Sequence, residues 1–258
     1  MTAERRLYLP LLGGVIALAW LTLWIWERSP YGRYLRHAEL AGLDLSDSRE
    51  LLLRAALYVL GWTLMTVAMM LPNVLPLLAI FQRLVAPRAE RAQYLTLCIL
   101  GYLGVWMAFG VMAHVADLAI HEGTERIAWL EENAWAIGAG TLLMAGAFQF
   151  SALKYRCLDK CRTPLSFVME HWRGRHDHWN AFWLGVHHGI FCVGCCWALM
   201  LLMFGVGIGN VGWMLALGAV MVVEKNVSWG RHIGRPLGVA LLAWGLAVAL
   251  EVLRWPGT

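Results

Sequence analysis

Soft metal-binding side chains cluster within one short apolar stretch of the sequence. His188 is followed by Cys192, Cys195 and Cys196. At about 100° per residue these four side chains share one helical face, whereas His187 points elsewhere. Thiolates and imidazoles bind Cu(I) and also zinc. Because His188 and Cys195 would lie about 10 Å apart along the axis, a metal would need an adjacent pair and ligands from other helices.

Two further pairs carry sulfur at one-turn spacing. Cys157 and Cys161 share a face if the fourth helix continues through them, and their basic flanks favour the thiolate. Met65 and Met69 present thioethers, which are soft donors suited to Cu(I). These four residues could relay a metal or complete its site. The alternative is that they are ordinary packing residues.

A different cluster contains harder ligands. His114, Asp117, His121 and Glu125 fall within about 40° of one another on a continuous helix. Such a set could form a second, outward-facing site for zinc, Cu(II) or iron. The alternative is a solvated polar helix end.

Three ionisable residues lie in or beside apolar segments. They are Lys154, Glu224 and Lys225. Charges inside a membrane are expensive and commonly mark ion pathways, although those near helix ends also pair or reach the interface. The sequence therefore predicts possible intramembrane charges at these positions.

The composition excludes a soluble globular protein. Hydrophobic residues make up 60% of the chain and charged residues only 15%, with a mean hydropathy of +0.58. Globular proteins carry about 25% charged residues. The net charge of +4 does not indicate a nucleic-acid partner, because the basic residues lie in short loops between apolar runs. No phosphate-binding loop or nucleophile elbow is present.

Apolar runs of about 20 residues predict membrane-spanning helices. Together they predict an all-α, polytopic transmembrane helical bundle that forms a single domain over residues 1–258. We also expect the second helix to kink or break near Pro72, because proline removes a backbone donor. The seven predicted spans are roughly Leu7–Trp26, Leu51–Leu71, Ala92–Val115, Asn133–Leu153, Asn180–Gly205, Val211–Ser228 and Arg235–Leu253.

The distribution of basic residues predicts the orientation of the bundle. Counted from the N-terminus, the odd-numbered segments outside these spans contain most of the Lys and Arg residues. Cytoplasmic loops carry this excess in membrane proteins. We therefore expect a cytoplasmic N-terminus and a multi-pass protein of the cell inner membrane, whose partners include the lipid bilayer.

Several motifs together resemble the bacterial family of predicted metal-binding integral membrane proteins. The resemblance spans about residues 50 to 230 and implies a bound metal and a bacterial cytoplasmic membrane, without specifying a reaction. Its stretches are Trp62-x-x-Met65-x-x-Ala68-Met69-Met70-Leu71-Pro72, Gln149 through Lys154 with Cys157 and Cys161-Arg162, Gly185-x-x-His188-Gly189-x-x-Cys192-x-Gly194-Cys195-Cys196-Trp197-x-Leu199-Met200, Asn210-x-x-Trp213-Met214 and Glu224-Lys225.

The leading hypothesis is a membrane-embedded protein that handles or delivers copper through a Cys/His/Met site between helices. Copper follows from the softness of the ligands, and zinc or iron are alternatives. A second metalloprotein of the membrane or periplasm could receive the ion. Two other functions stay open: a membrane metalloenzyme or redox protein with metal or haem between its helices, and a structural assembly partner without chemistry.

Overall fold

The computed structural model describes residues 4–29, 48–126, 129, 133, 135–172, 177–206 and 210–254. Within these ranges the protein is all-helical, as the sequence predicts, with nine α-helices, a short 3₁₀ turn at Gly230–His232 and no strand. The helices are α1 Glu4–Arg28, α2 Ser48–Leu84, α3 Arg91–Arg126, α4 Trp135–Phe148, α5 Ala152–Arg162, α6 Pro164–His171, α7 Asp177–Val206, α8 Val211–Asn226 and α9 Gly234–Arg254.

Five segments of the described chain are long and apolar enough to cross a membrane. They are Tyr8–Arg28, Ala56–Leu84, Arg91–Ile120, Asp177–Met203 and Gly230–Leu250. The bent pair α4 and α5 passes the same test together. Helix α8 has 16 residues, or about 24 Å of length against an apolar core of about 30 Å. Both the total of seven spans and the side of the N-terminus therefore stay predictions.

Large apolar side chains on the outside of the bundle belong to several of these helices. Leu18 is 62% exposed, Met112 63% and Val239 59%. A protein surrounded by water rarely exposes wide apolar surfaces, because hydration of such surfaces is unfavourable. The exposed apolar faces are therefore compatible with helices that cross a membrane.

The second helix does not break at Pro72, so of the predicted kink or break the break is not observed. Helix α2 continues through Pro72 and Pro76 over 37 residues. Side chains donate to two carbonyls in the turn before the first proline: Asn73 Nδ2 to Met69 O at 2.7 Å and Tyr102 Oη to Met70 O at 2.9 Å. These bonds tie the turn before Pro72 to its own helix and to α3.

The fourth predicted span breaks into two helices, so the assumption that it continues is wrong. Helices α4 and α5 meet at an angle of 63°. Ser151 lies between them and caps α5, because its side chain accepts a hydrogen bond from Lys154 N at 3.1 Å. The new helix keeps Cys157 and Cys161 one turn apart and buries both.

Glycines let α3 and α7 approach closely at the centre of the bundle. A Cβ on Gly101 would overlap the Phe182 carbonyl, and one on Gly185 would overlap the Cys98 carbonyl. One turn further along α7, a Cβ on Gly189 would lie 2.9 Å from Val105 Cβ. The contacts advance in the same direction on both helices, so α3 and α7 run parallel. This backbone contact fixes the position of the cysteine-bearing segment of α7.

Candidate metal centre

Helix α7 carries three cysteines within about one turn and buries all of them. Cys192, Cys195 and Cys196 are each at most 1% exposed. The thiols of Cys195 and Cys196 donate hydrogen bonds to the carbonyl of Cys192, at 3.1 and 2.9 Å. This bonding occupies the two S–H groups within their own helix. A metal would draw both thiols away from that carbonyl.

A fourth thiol comes from α5. Cys161 lies close enough to Cys195 for the two thiols to interact, and Cys195 lies similarly near the Cys192 and Cys196 thiols. Cys157 lies on the same side of α5, because a Cβ on Gly194 would lie 2.6 Å from its Sγ atom. Two helices therefore bring five of the six thiols of the chain into one buried group.

Two groups from other helices contact Cys192. Lys225 of α8 donates to Cys192 Sγ at 2.8 Å and lies 3.7 Å from Cys196 Sγ. Tyr102 of α3 has its hydroxyl 3.0 Å from Cys192 Sγ and bridges to the Met70 carbonyl of α2. An ammonium group beside two thiols supplies the positive charge that a thiolate pair would need in an apolar core.

His188 lies one turn before Cys192 and is 2% exposed. Its ring neighbours Tyr102, with centroids 5.8 Å apart, and Phe167, at 5.3 Å. Its Nδ1 atom is buried and has no hydrogen-bond partner in the structure. A buried imidazole nitrogen without a partner is costly, and a metal ion or a proton donor would satisfy it.

The remaining predicted charges form a separate buried network. Lys154 Nζ lies 2.6 Å from Glu224 Oε1, with side-chain exposures of 0% and 2%, and it also donates to Gln149 Oε1. Arg162 donates to the backbone carbonyls of Glu224 and of Ser228. Glu224 thus pairs with Lys154, while the adjacent Lys225 turns to the thiols. These contacts hold α5 and the end of α8 together beside the cysteine group.

The thioethers lie in the same core. Met65 and Met69 are 0% and 1% exposed. Met69 packs against Gly218 of α8, because a Cβ added to Gly218 would lie 3.7 Å from the Met69 Cγ atom. Gly218 is two helical turns before Lys225. The structure therefore places Met69 at the α2–α8 contact, and a role for either sulfur in metal binding stays a prediction.

The outward-facing cluster is only partly described. His114 and Asp117 lie on α3, half-buried, and the His114 ring stacks on Tyr58 with centroids 4.1 Å apart. The side chains of His121 and Glu125 lie outside the described residues. The second metal site predicted there stays a prediction.

Three contacts were missed by sequence reasoning. These are the Tyr102 hydroxyl at Cys192, the Lys225 ammonium at the same sulfur, and the pairing of His171 with His187, whose rings are 5.0 Å apart. Tyr102 and Cys192 are 90 residues apart in the chain. Helical periodicity relates only residues within one helix, so no pattern in the sequence links such groups.

The side chains in this structure are not arranged around a metal. Among the residues that the structure describes, no three His, Cys, Asp or Glu side chains converge as metal ligands would. The thiols lie near one another, but those of Cys195 and Cys196 donate to a backbone carbonyl. Soft thiolate ligands nevertheless fit Cu(I) by their chemistry. Rotation of Cys195 and Cys196 about their side-chain bonds would release both sulfurs.

The comparison with known protein families gives one match. A family model described as PpoB2, copper chaperone, matches residues 59–248, which run from within α2 through most of α9. No curated protein and no solved structure matches the chain. The match favours copper handling over the metalloenzyme and structural alternatives. Because it extends over more than half of the sequence, the chain belongs to the PpoB2 family of copper chaperones.

Proposed function

We propose that this protein is a membrane-embedded copper chaperone that carries Cu(I) on the buried thiols of α5 and α7. Cys192, Cys195 and Cys196 are the primary ligands, and Cys161 joins them from α5. The observation that carries the proposal is the proximity of these four thiols in the buried core of the protein. Softness of thiolate selects Cu(I) over hard cations.

His188 and the two methionines complete this proposal. His188 has an unpartnered nitrogen one turn from Cys192 and serves as an adjacent ligand. Met65 and Met69 supply weaker thioether ligands along α2, and Cys157 lies next to the thiol group on α5. Ligands of graded strength allow an ion to pass from one set to the next, as delivery requires.

Charge balance supports Cu(I) at this place. One Cu(I) ion held by two of these cysteines as thiolates, with the other two as neutral thiols, carries a net charge of −1, which is unfavourable in an apolar core. The Lys225 ammonium lies next to Cys192 Sγ and close to Cys196 Sγ. The complex of ion, two thiolates and lysine is therefore neutral.

The location of the protein is part of the proposal. Helices of this length and apolarity support a location of the thiols inside the cell inner membrane, with the bilayer as one partner. A second metalloprotein of the membrane or periplasm receives the ion. This chain then acts as a carrier whose own reaction is ligand exchange.

The test is copper loading of the detergent-purified protein under reducing conditions, with a competing Cu(I) chelator. We expect about one sulfur-bound copper ion per chain, seen by elemental analysis and by X-ray absorption. Cys195→Ser/Cys196→Ser should lose that ion. Cys98→Ser is the matched control, since Cys98 is equally buried on α3 but lies outside the thiol group.

Two results would contradict the proposal. One is sulfur-bound copper that persists at the same stoichiometry in the Cys195→Ser/Cys196→Ser variant. The other is a wild-type protein that takes up no copper although its helix content and monodispersity show that it is folded. Equal loss of copper in Cys98→Ser would show a general effect of removing a buried thiol.

A further inference from the structure

Two histidines lie side by side at the end of the bundle where α6 meets α7. The rings of His171 on α6 and His187 on α7 have centroids 5.0 Å apart and an interplanar angle of 44°. Both side chains are half-buried, so each keeps an edge that the described residues do not cover. They are 16 residues apart in the chain, and they meet only because α6 folds back against α7.

The backbone fixes the same tautomer in both rings. His171 Nδ1 lies 2.9 Å from the Phe167 carbonyl, and His187 Nδ1 lies 2.8 Å from the Trp183 carbonyl. A carbonyl oxygen only accepts, so each Nδ1 carries the hydrogen. In the neutral rings Nε2 then holds the lone pair. Metal-binding histidines have this arrangement, with the second nitrogen donating to a carbonyl or carboxylate.

The helix that carries His171 is attached to α5. Lys160 of α5 donates to Glu170 Oε2 at 2.8 Å. This hydrogen bond and the lysine charge hold the pKa of the Glu170 carboxyl below its ordinary value. Because α5 also carries Cys161, the histidine pair and the thiol group are connected through the same short helix.

An aromatic ring separates the pair from the buried core. Phe167 is fully buried, stacks on His171 with centroids 4.2 Å apart, and meets the edge of His188 at 5.3 Å. On the inner side, the His188 Nδ1 atom has no partner. The order from the bundle end inward is therefore His171 and His187, then Phe167, then His188, then Cys192.

We propose that His171 and His187 form a second, bundle-end copper site that passes Cu(I) to or from the buried thiols by way of His188. The proposal rests on the function proposed above. Rings at this spacing accept one ion between their Nε2 atoms, because copper and zinc bind imidazole nitrogen at about 2.0 Å. Two protein ligands leave coordination positions open, which suits an ion that must be handed on. In this step the ion exchanges neutral imidazoles for two cysteine thiolates with no change in oxidation state, and the two thiol protons are released to the surrounding water.

The first experiment follows Cu(I) transfer from a coloured Cu(I)–chelator complex to the purified full-length protein. His171→Ala/His187→Ala should slow loading of the thiol group by at least about tenfold, the scale on which supporting residues affect metal sites. The final amount of sulfur-bound copper should stay unchanged. The control is His178→Ala, an exposed histidine on α7 that contacts Gln93. An unchanged loading rate in the double variant would overturn the proposal.

The second experiment isolates the bundle-end site. Cys161, Cys192, Cys195 and Cys196 are replaced together by serine, and folding is checked by helix content. Titrated with Cu(I), this variant should bind copper with nitrogen-only coordination by X-ray absorption. That binding should disappear when His171→Ala/His187→Ala is added. Absence of nitrogen-bound copper in a folded serine variant would overturn the proposal, and the loading rates decide the question if that variant does not fold.

The two proposals fail in distinguishable ways. If wild-type protein holds sulfur-bound copper but the histidine variants load normally, the bundle-end site is wrong and the chaperone function stands. If nitrogen-bound copper is found without any sulfur-bound copper, the thiol site is wrong and the histidine pair is the metal site. The readouts are the coordinating atoms and the loading rate.

Discussion

Two buried lysines in the core have different electrostatic partners. Lys154 faces a carboxylate and an amide oxygen, whereas Lys225 faces sulfur. A buried charge is tolerated only when a partner compensates it. We therefore expect the two lysines to affect different properties of the molecule. Replacing Lys154 should change stability, and replacing Lys225 should change copper affinity.

Replacing Lys225 should weaken copper binding. In Lys225→Met the complex of Cu(I) and two thiolates keeps an uncompensated negative charge in an apolar core. We expect the affinity to fall by at least about tenfold, or about 1.4 kcal/mol. Lys225→Arg should retain most of the affinity, and Lys160→Met at an exposed lysine should be neutral. Competition with a Cu(I) chelator measures the effect, and an unchanged affinity in Lys225→Met would place the ion elsewhere.

Replacing Lys154 should instead reduce stability. Lys154→Met leaves Glu224 buried without its partner, which costs about 3–5 kcal/mol in comparable sites. The double variant Lys154→Met/Glu224→Met removes both charges and should recover most of the loss. The free energy of unfolding in detergent, measured for the four proteins of the cycle, gives the coupling. Additive losses would show that the two side chains do not stabilise each other.

The site could be predicted from the sequence only within single helices. The spacing of His188, Cys192 and Cys195 places them on one face, and the structure buries all three. Their coupling to Tyr102 and Lys225 could not be predicted, because it depends on how α3 and α8 pack against α7. The same holds for His187, which periodicity assigns to another face and which the fold pairs with His171.

The sequence predicts where helices occur better than it predicts where they end or bend. The 20-residue apolar runs correctly indicated an all-helical chain, because length and hydropathy are properties of the segment itself. A kink or break was predicted near Pro72, and α2 continues through it without a break. The bend before α5 was missed because Ser151 acts as a cap only when the preceding helix has stopped.

Close packing of α3 on α7 should depend on one glycine and not on its neighbour. A Cβ at Gly101 would overlap the Phe182 carbonyl, whereas Gly104 has no atom within 4 Å of an added Cβ. Gly101→Ala should therefore separate the helices, lower the melting temperature and impair copper loading. Gly104→Ala on the same helix should be neutral or slightly stabilising, by up to about 1 kcal/mol, because alanine favours the helix.

Thermal unfolding in detergent and copper per chain test this pair of variants. Equal melting temperatures for Gly101→Ala and wild type would mean that α3 and α7 adjust without loss. The comparison stays within one helix, so a difference between the two variants reflects the contact with α7.

At the scale of the whole molecule, the loop charges predict which end of the bundle faces the cytoplasm. The end with α6 contains the most basic segment, and the opposite end holds the C-terminal part of α3. Glu122 of α3 and Ser166 of α6 are both exposed and lie at these opposite ends. The six native cysteines are buried, so a new surface cysteine can be detected above them.

We expect Glu122→Cys to react with a membrane-impermeant maleimide in right-side-out vesicles, and Ser166→Cys to react only in inside-out vesicles. The physical reason is that basic loops are retained on the cytoplasmic side. Wild-type protein in both vesicle types measures the background. The reverse labelling pattern would mean that the protein has the opposite orientation in the membrane. The His171–His187 pair would then lie on the outer side, and the bundle-end site would release copper outward. Labelling of both variants from one side would contradict the topology, because the parallel helices α3 and α7 require an odd number of crossings between them.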